Sequence, residues 1–452
     1  MAKKNSLFEC QACGFQSAKW LGKCPNCGAW DEFLELSQNQ IDVLKESNSN
    51  PTHNHSSTSA IPITDVHYET IERYSTGDSE LDIVLGGGIV KGSLTLIGGS
   101  PGVGKSTLLL KIAGNLAKEG KKVLYVSGEE SKSQIKMRAN RVDSNYPELY
   151  LLSEIKLDLI FKELETHAFE VLIIDSIQTI YSEKIGSAPG SVSQVREITF
   201  ELMRFGKANN LAIFIIGHIT KEGSIAGPRV LEHMVDTVLY FEGDSSRELR
   251  LLRGFKNRFG ATSEVGIFEM TKVGLVSAKD ISKKFFTRGR AQAGSAITVL
   301  MEGSRPIVLE VQALVSDSGY PNPKRSATGY ELNRLTMLLA LLERKLDLPF
   351  NQYDVYINIA GGIKITETSA DLAIIAAIIS SYRNRPISKD TVFIGEVSLI
   401  GDVRDIYNLD LRLKEAKAQQ FEKAVVPSLP LEKIEGIKCY NVDEVSKLIE
   451  WM

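Results

Sequence analysis

The sequence has little net charge, no long apolar run, and few cysteines outside one short region. Its 53 Lys and Arg against 56 Asp and Glu leave a net charge of −3. That balance excludes an unselective basic coat for nucleic acid, so any DNA or RNA contact must come from a local patch. No apolar run reaches the roughly 18 residues that cross a bilayer, and no membrane partner is expected. The N-terminal stretch Met1–Cys10 is basic but lacks the apolar core of a secretory signal. Four of the five cysteines fall in the first thirty residues, with Cys439 alone elsewhere. This distribution suits a reduced, cytoplasmic setting with one metal site better than a disulfide framework. No internal repeat is evident.

What is present falls into pieces of different texture. At 452 residues the chain exceeds one ordinary core, which predicts two or three domains. Residues 1–36 hold the clustered cysteines beside Trp20 and Trp30. Residues 37–60, rich in Ser, Asn and Thr, bury too little apolar surface to offset their ordering entropy and read as a flexible linker. From 61 to 276, short apolar runs beginning at Ser93, Lys122, Val171 and Leu211 alternate with helical stretches such as Lys105–Lys118 and Val192–Ala208. Such alternation predicts a doubly wound α/β domain with a mostly parallel sheet. Residues 277–290 form a basic connector. Residues 291–452 predict a separate α+β domain, with helices beginning near Leu335 and Ala370.

Two C-x-x-C pairs, Cys10/Cys13 and Cys24/Cys27, are joined by a short loop. Each pair makes a knuckle whose thiolates face one ion, and two knuckles complete a tetrahedron. Four thiolates leave no position for a substrate, so the site is structural. Spacing alone admits iron as well as zinc; zinc is the better match. A redox dithiol needs one C-x-x-C beside a strand–helix unit and does not account for two.

The run Gly99-Ser100-Pro101-Gly102-Val103-Gly104-Lys105-Ser106-Thr107 fits G-x-x-x-x-G-K-[ST] between a predicted strand and a predicted helix. Its glycines let backbone N–H groups curl around phosphates, and the helix N-terminus adds partial positive charge. Lys105 would reach the β- and γ-phosphates of ATP, and Ser106 would offer its hydroxyl to magnesium. Asp175, ending an apolar strand, stands where a magnesium-orienting carboxylate belongs. Glu129 is the preferred activator of the attacking water, with Glu130 read as a first-turn helix acid. His218 ends another strand and is assigned to γ-phosphate sensing or DNA coupling. The glycine-rich stretch after it reads as a responsive loop.

Leu251–Glu264 raises a separate question, because its cations Arg253, Lys256 and Arg258 lie far from the phosphate loop. One reading places Lys256 and Arg258 on a neighbouring subunit's ATP, as an arginine finger. Another lines a channel, with Arg on phosphate and Phe259 stacking on a base. Arg247, Arg250, Lys283, Lys284, Arg288 and Arg290 extend the basic character into a candidate DNA-facing stripe.

Together, the paired knuckles, the stretch Tyr74–Thr107 and the pentapeptide Lys256-Asn257-Arg258-Phe259-Gly260 closely resemble the bacterial RadA (Sms) family of DNA-repair proteins. The resemblance covers nearly the whole chain. It implies a RecA-like ATPase core assembled as a homo-hexameric ring and a C-terminal domain like that of Lon protease. It also implies binding of single-stranded DNA, branch migration of recombination intermediates and partnership with a RecA-type recombinase. The pentapeptide is the family signature needed for that action. Within the last domain, Ser369 matches the Lon nucleophile, but Asp410 aligns with the Lys that a Ser nucleophile needs as base. No peptidase activity is therefore expected. An ATP-dependent peptidase and a nucleotide-switched DNA-binding module without translocation are the alternatives.

Overall fold

The computed structural model describes residues 8–10, 15–17, 19–26, 28–31, 33–35, 62–65, 72–217, 231–243, 249–278, 282–286, 288–428 and 434–451. It divides into two compact units, Met1–Ser277 and Ala278–Met452.

The first unit opens with a small antiparallel sheet. Strand β1 (Phe8–Cys10) is flanked by β2 (Gln16–Ser17) and β3 (Phe33–Glu35). After it, β4 (Arg73–Tyr74) and β5 (Ile89–Val90) pair around helix α1 (Ser79–Leu85). The main sheet contains β6 (Leu94–Gly99), β7 (Val123–Ser127), β8 (Leu149–Leu152), β9 (Val171–Asp175), β10 (Ala212–Ile216) and β11 (Thr237–Glu242). It is completed by β12 (Leu249–Asn257), β13 (Val265–Thr271) and β14 (Gly274–Ser277). The spatial order is β14-β13-β12-β11-β6-β10-β9-β7-β8. From β11 to β8 neighbouring strands run parallel, whereas β12 to β14 extend the edge as an antiparallel meander.

Period-two alternation divides the buried strands between two cores. Ile97, Val123, Tyr125, Ile173 and Phe214 face α1, α2 (Lys105–Lys118) and α3 (Lys132–Arg141). Leu96, Leu124, Val126, Leu172, Ile174 and Ile215 face α4 (Leu157–Thr166) and α5 (Val192–Asn209). Helices on both faces leave few strand positions for polar side chains, which is why these strands read as nearly continuous apolar runs. Each fully buried Leu, Ile or Val contributes about 1.5–3 kcal/mol. At the start of α5 the Ser191 side chain accepts the Gln194 N–H, and Asn210 closes the helix with φ 52°.

The second unit is built on a seven-stranded mixed sheet of order β17-β18-β16-β15-β19-β22-β23. Its strands are β15 (Ser295–Glu302), β16 (Arg305–Asp317), β17 (Arg325–Thr328), β18 (Tyr353–Ile359), β19 (Thr391–Phe393), β22 (Lys423–Pro427) and β23 (Lys438–Val442). A separate pair, β20 (Glu396–Val397) and β21 (Val403–Arg404), packs beside it. The helices are α6 (Ser282–Phe285), α7 (Leu332–Leu346), α8 (Asp371–Arg383) and α9 (Leu409–Ala418). Helix α8 is buried without interruption from Asp371 to Ser380, so 372–379 is apolar all round, while Asp371 at its start is paired with Arg334. Phe286 joins the core formed by Ile297, Val299, Leu413 and Phe421.

Candidate functional site

The phosphate loop forms where β6 ends at Gly99 and α2 begins at Lys105. Gly104 adopts φ 116°, and a Cβ there would lie 2.7 Å from Leu275 Cδ1, so the turn requires glycine. The first-turn N–H groups of α2 have no intrahelical acceptor and lie at the positive end of the helix dipole. Lys105 is 4% exposed, and its Nζ donates to the carbonyls of Gly99 (2.7 Å) and Ser100 (3.0 Å). Burial pulls its ammonium down to about 8, against the opposing pull of Asp175 and Glu129. An incoming phosphate would restore full charge to this group and replace the two carbonyls.

The carboxylates gather at the C-terminal ends of adjacent parallel strands. Asp175 pairs in register with Ser127 of β7. The Tyr125 hydroxyl donates to Asp175 Oδ2 at 2.6 Å, and burial followed by the Asp175 charge raises that phenol far above its ordinary value. Tyr125 therefore stays a donor and fixes the carboxylate, while Oδ1 accepts no hydrogen bond among the described residues. Glu129 Oε1 accepts from Ser176 Oγ at 2.7 Å. Glu130 instead pairs with Arg138 of α3. The geometry thus ties Glu129, not Glu130, to the residue beside Asp175. The motifs do not point to Ser176; its only signal in the sequence is a hydroxyl directly following a strand-terminal carboxylate.

Beside the loop opens a cleft of about 360 Å³, lined by Gly102 and Gly104–Thr107 and, opposite, by Arg138, Arg141 and Lys272. Among the described residues no carboxylate lines it, which suits an anionic nucleotide.

The pentapeptide is not wholly a loop. Lys256 and Asn257 end β12, and only Arg258–Gly260 turn away from it. Lys256 Nζ donates to the carbonyls of Glu232 (2.7 Å), Val235 (2.8 Å) and, more weakly, His233 (3.4 Å). Burial and then the Arg258 charge lower this ammonium. Arg258 Nη1 lies 3.3 Å from Asp236 Oδ1, with half of its side chain exposed. Asn257 Nδ2 donates to the Val84 carbonyl (3.2 Å), and its Oδ1 accepts the Phe259 N–H (2.9 Å). Gly260 packs on Gly86, where a Cβ would lie 2.9 Å from the Gly86 Cα. Phe259 is half-buried; the aromatic left exposed is Phe255, at 62%, edge-on to Tyr240.

The proposed basic stripe does not survive as drawn. Arg250 is 3% exposed, with Nε donating to the Val103 carbonyl at 3.2 Å. Burial alternates along β12, and position 250 shares the inward face with Leu252; the sequence does not mark this, because Leu249 and Leu251 lie on the other face. Arg288 lies over the Phe421 ring at 5.4 Å. Arg290 is exposed. Arg247, His218, Cys13 and Cys27 lie outside the described residues, as do the side chains of Lys283 and Lys284.

In the metal module, Cys10 and Cys24 are both buried and share one cluster with Phe33. The same turn repeats at each: Cys10 N–H to Phe15 O (2.9 Å) and Cys24 N–H to Ala29 O (2.8 Å). Two buried thiols on matched turns supply half of the four-thiolate set that a structural zinc ion takes.

In the second unit, Ser369 is buried and its Oγ accepts from Arg412 Nη1 at 2.9 Å. Arg412 also donates to both oxygens of Glu367 (2.7 Å each), to Val299 O (2.7 Å) and to Tyr407 O (3.1 Å). Burial pushes the Glu367 carboxyl up, but the hydrogen bond and charge of Arg412 outweigh it and hold the group below its ordinary value. The residue facing Ser369 is therefore Arg412, and not Asp410, which is exposed beside Lys414. The inward positions of α9, namely Leu409, Arg412, Leu413 and Ala416, follow helical spacing and identify it.

Comparison with known proteins places these parts. A zinc-ribbon model described as rubredoxin metal binding domain matches residues 8–35, an AAA domain matches 63–224, and a model for subunit ChlI of Mg-chelatase matches 337–429. A zinc ribbon, a RecA-like P-loop ATPase domain with a mostly parallel sheet, and a ChlI/Lon-like domain thus follow one another as the sequence predicts. Among curated relatives, a protein of Campylobacter jejuni is 66% identical over 100% of both chains. One of Helicobacter pylori strain J99 is 59% identical over 100% of both, and one of Bacillus subtilis is 46% identical over 99% of both. Each of the three is called DNA repair protein RadA.

Proposed function

The chain belongs to the RadA family of DNA repair ATPases, and from that premise we propose that it is a motor on single-stranded DNA that moves branched recombination intermediates. The observation that carries this reading is the convergence of Lys105, Asp175 and the Glu129–Ser176 pair at the ends of β6, β7 and β9. Lys105 and the loop amides hold the β- and γ-phosphates of ATP. Glu129, oriented by Ser176, activates the attacking water. Magnesium, which neutralises phosphate charge when bound, would be held by the Ser106 hydroxyl and by Asp175, whose Oδ1 accepts no hydrogen bond among the described residues. Zinc is the ion assigned to Cys10, Cys13, Cys24 and Cys27.

The chain works as a homo-hexameric ring with a RecA-type recombinase as partner. Lys256 and Arg258 couple hydrolysis to DNA across the subunit boundary, and His218 senses the γ-phosphate. To act on a neighbour's ATP, Lys256 must release the carbonyls of residues 232–235 that it now binds. That release would free the carbonyls of Glu232 and Val235 just ahead of β11, which gives hydrolysis a route to movement. A peptidase is disfavoured because a guanidinium cannot serve as the base for Ser369. The test is DNA-stimulated ATP hydrolysis by Lys256→Ala rings of confirmed assembly. Turnover should fall at least tenfold, and wild-type turnover would remove the coupling role.

A further inference from the structure

Arg250 has no place in the function described so far, although its side chain is buried against the phosphate loop. Its guanidinium Nε donates to Val103 O at 3.2 Å, and Nη1 donates to Leu249 O at 2.9 Å. The surroundings are cut to its shape: Gly243 lies so close that a Cβ would meet Arg250 Cδ at 2.4 Å. An arginine at 3% exposure is costly unless its donors are used, and here one of them is used on the main chain of the loop.

The consequence follows from the peptide plane. The Val103–Gly104 bond is trans, so its C=O and N–H point in opposite directions. With the carbonyl turned to the buried guanidinium, the Gly104 N–H is turned away from it, and Gly104 lines the nucleotide cleft. Gly104 has the backbone freedom the turn needs, and the same freedom would let this peptide flip. A flipped peptide would present a carbonyl oxygen to phosphate, exchanging attraction for repulsion.

We propose that Arg250 is a positioning residue that locks the Val103–Gly104 peptide with its N–H toward the β-phosphate. It lies behind the loop and touches no substrate. The proposal rests on nucleotide binding at the loop, and its effect is specific to ligands with a β-phosphate. AMP reaches the loop only with its α-phosphate and does not draw on the Gly104 N–H.

Titration calorimetry with ADP and with AMP tests this on the full chain, with thermal melting and hydrogen exchange of residues 99–108 measured in parallel. A hydrogen bond to a charged donor predicts that Arg250→Met weakens ADP about 10- to 100-fold. AMP should change less than threefold, and exchange in the loop should rise. Arg250→Lys, which keeps a cationic donor, should recover part of the loss. Gly243→Ala, which displaces the guanidinium without removing it, should weaken ADP several-fold and serves if Arg250→Met does not fold. Unchanged ADP binding in a variant that melts like the wild type overturns the proposal, as does equal weakening of ADP and AMP. Failure of the wild type to bind ADP, or full ADP binding by Lys105→Ala, would instead show that the nucleotide reading is wrong.

Discussion

Replacing Arg412 with Met removes the cation from a buried cluster while leaving its acid in place. In the wild type, Arg412 is 1% exposed and bonds both oxygens of Glu367, the Ser369 hydroxyl and two carbonyls. Glu367 is itself only 29% exposed in its side chain, so the variant strands a carboxylate with little water to receive it. Breaking such a pair by removing one partner costs about 3–5 kcal/mol. At roughly 2–4 °C per kcal/mol for a unit of this size, the second unit should melt about 6–20 °C earlier. The pH dependence identifies the cause. In the wild type, the Glu367 carboxyl lies below its ordinary 4.5, so its stabilisation is complete above the unfolded value and is lost as pH falls through the depressed one. In the variant, burial is opposed only by the Met301 N–H and the Ser369 hydroxyl, so the carboxyl rises from its wild-type position and acid relieves part of the defect. The gap in melting temperature should be widest at neutral pH, narrow as the pH falls into the acid range, and shrink at neutral pH when Glu367→Gln is added. Scanning calorimetry of the full chain at several pH values measures it. A gap that is constant with pH and unmoved by the second substitution would refute the ion-pair reasoning.

Lys105 gives a second pH signature: its free ammonium titrates at about 8, while a bound triphosphate demands the charged form. The KM for ATP should be flat below that pH and rise by up to about tenfold per unit above it, with proton uptake on binding; a flat profile from pH 7 to 9.5 would contradict the burial of this lysine. Ser176→Ala removes the hydroxyl that orients Glu129 and should lower kcat about tenfold with little change in KM; equal effects on both would assign Ser176 to binding instead. The purified chain should carry about one zinc, which Cys24→Ser releases; iron in its place would correct the metal assignment.

Legibility in the sequence followed the strength of local constraint. Strands buried on both faces are continuous apolar runs, so β9 lies at the predicted Val171–Asp175, and α2 spans the predicted Lys105–Lys118. Helix α7 begins at Leu332, ahead of the expected Leu335; Leu332 keeps helical spacing with Leu335 but is exposed, and the buried stripe starts only at Leu335. Single charged residues were harder to read. Arg250 reads as part of a basic surface because a lone arginine is usually exposed, and leucines at 249, 251 and 252 leave the inward face of β12 unmarked in the sequence. Arg412 was passed over for Asp410 because alignment by motif ignores helical phase, whereas the 409–412–413–416 spacing carries it inward. The Lys256 cage is set by carbonyls more than twenty residues away in sequence, which no local pattern encodes.

The most direct measurement is release of a labelled strand from a forked DNA duplex by the assembled protein. With ATP and magnesium, the wild type should displace the strand over many base pairs. Lys105→Ala, or the wild type with a nonhydrolysable analogue, should bind the fork yet leave the strand annealed. Displacement that persists in Lys105→Ala would contradict the account, as would robust wild-type hydrolysis on the fork with no displacement or branch movement.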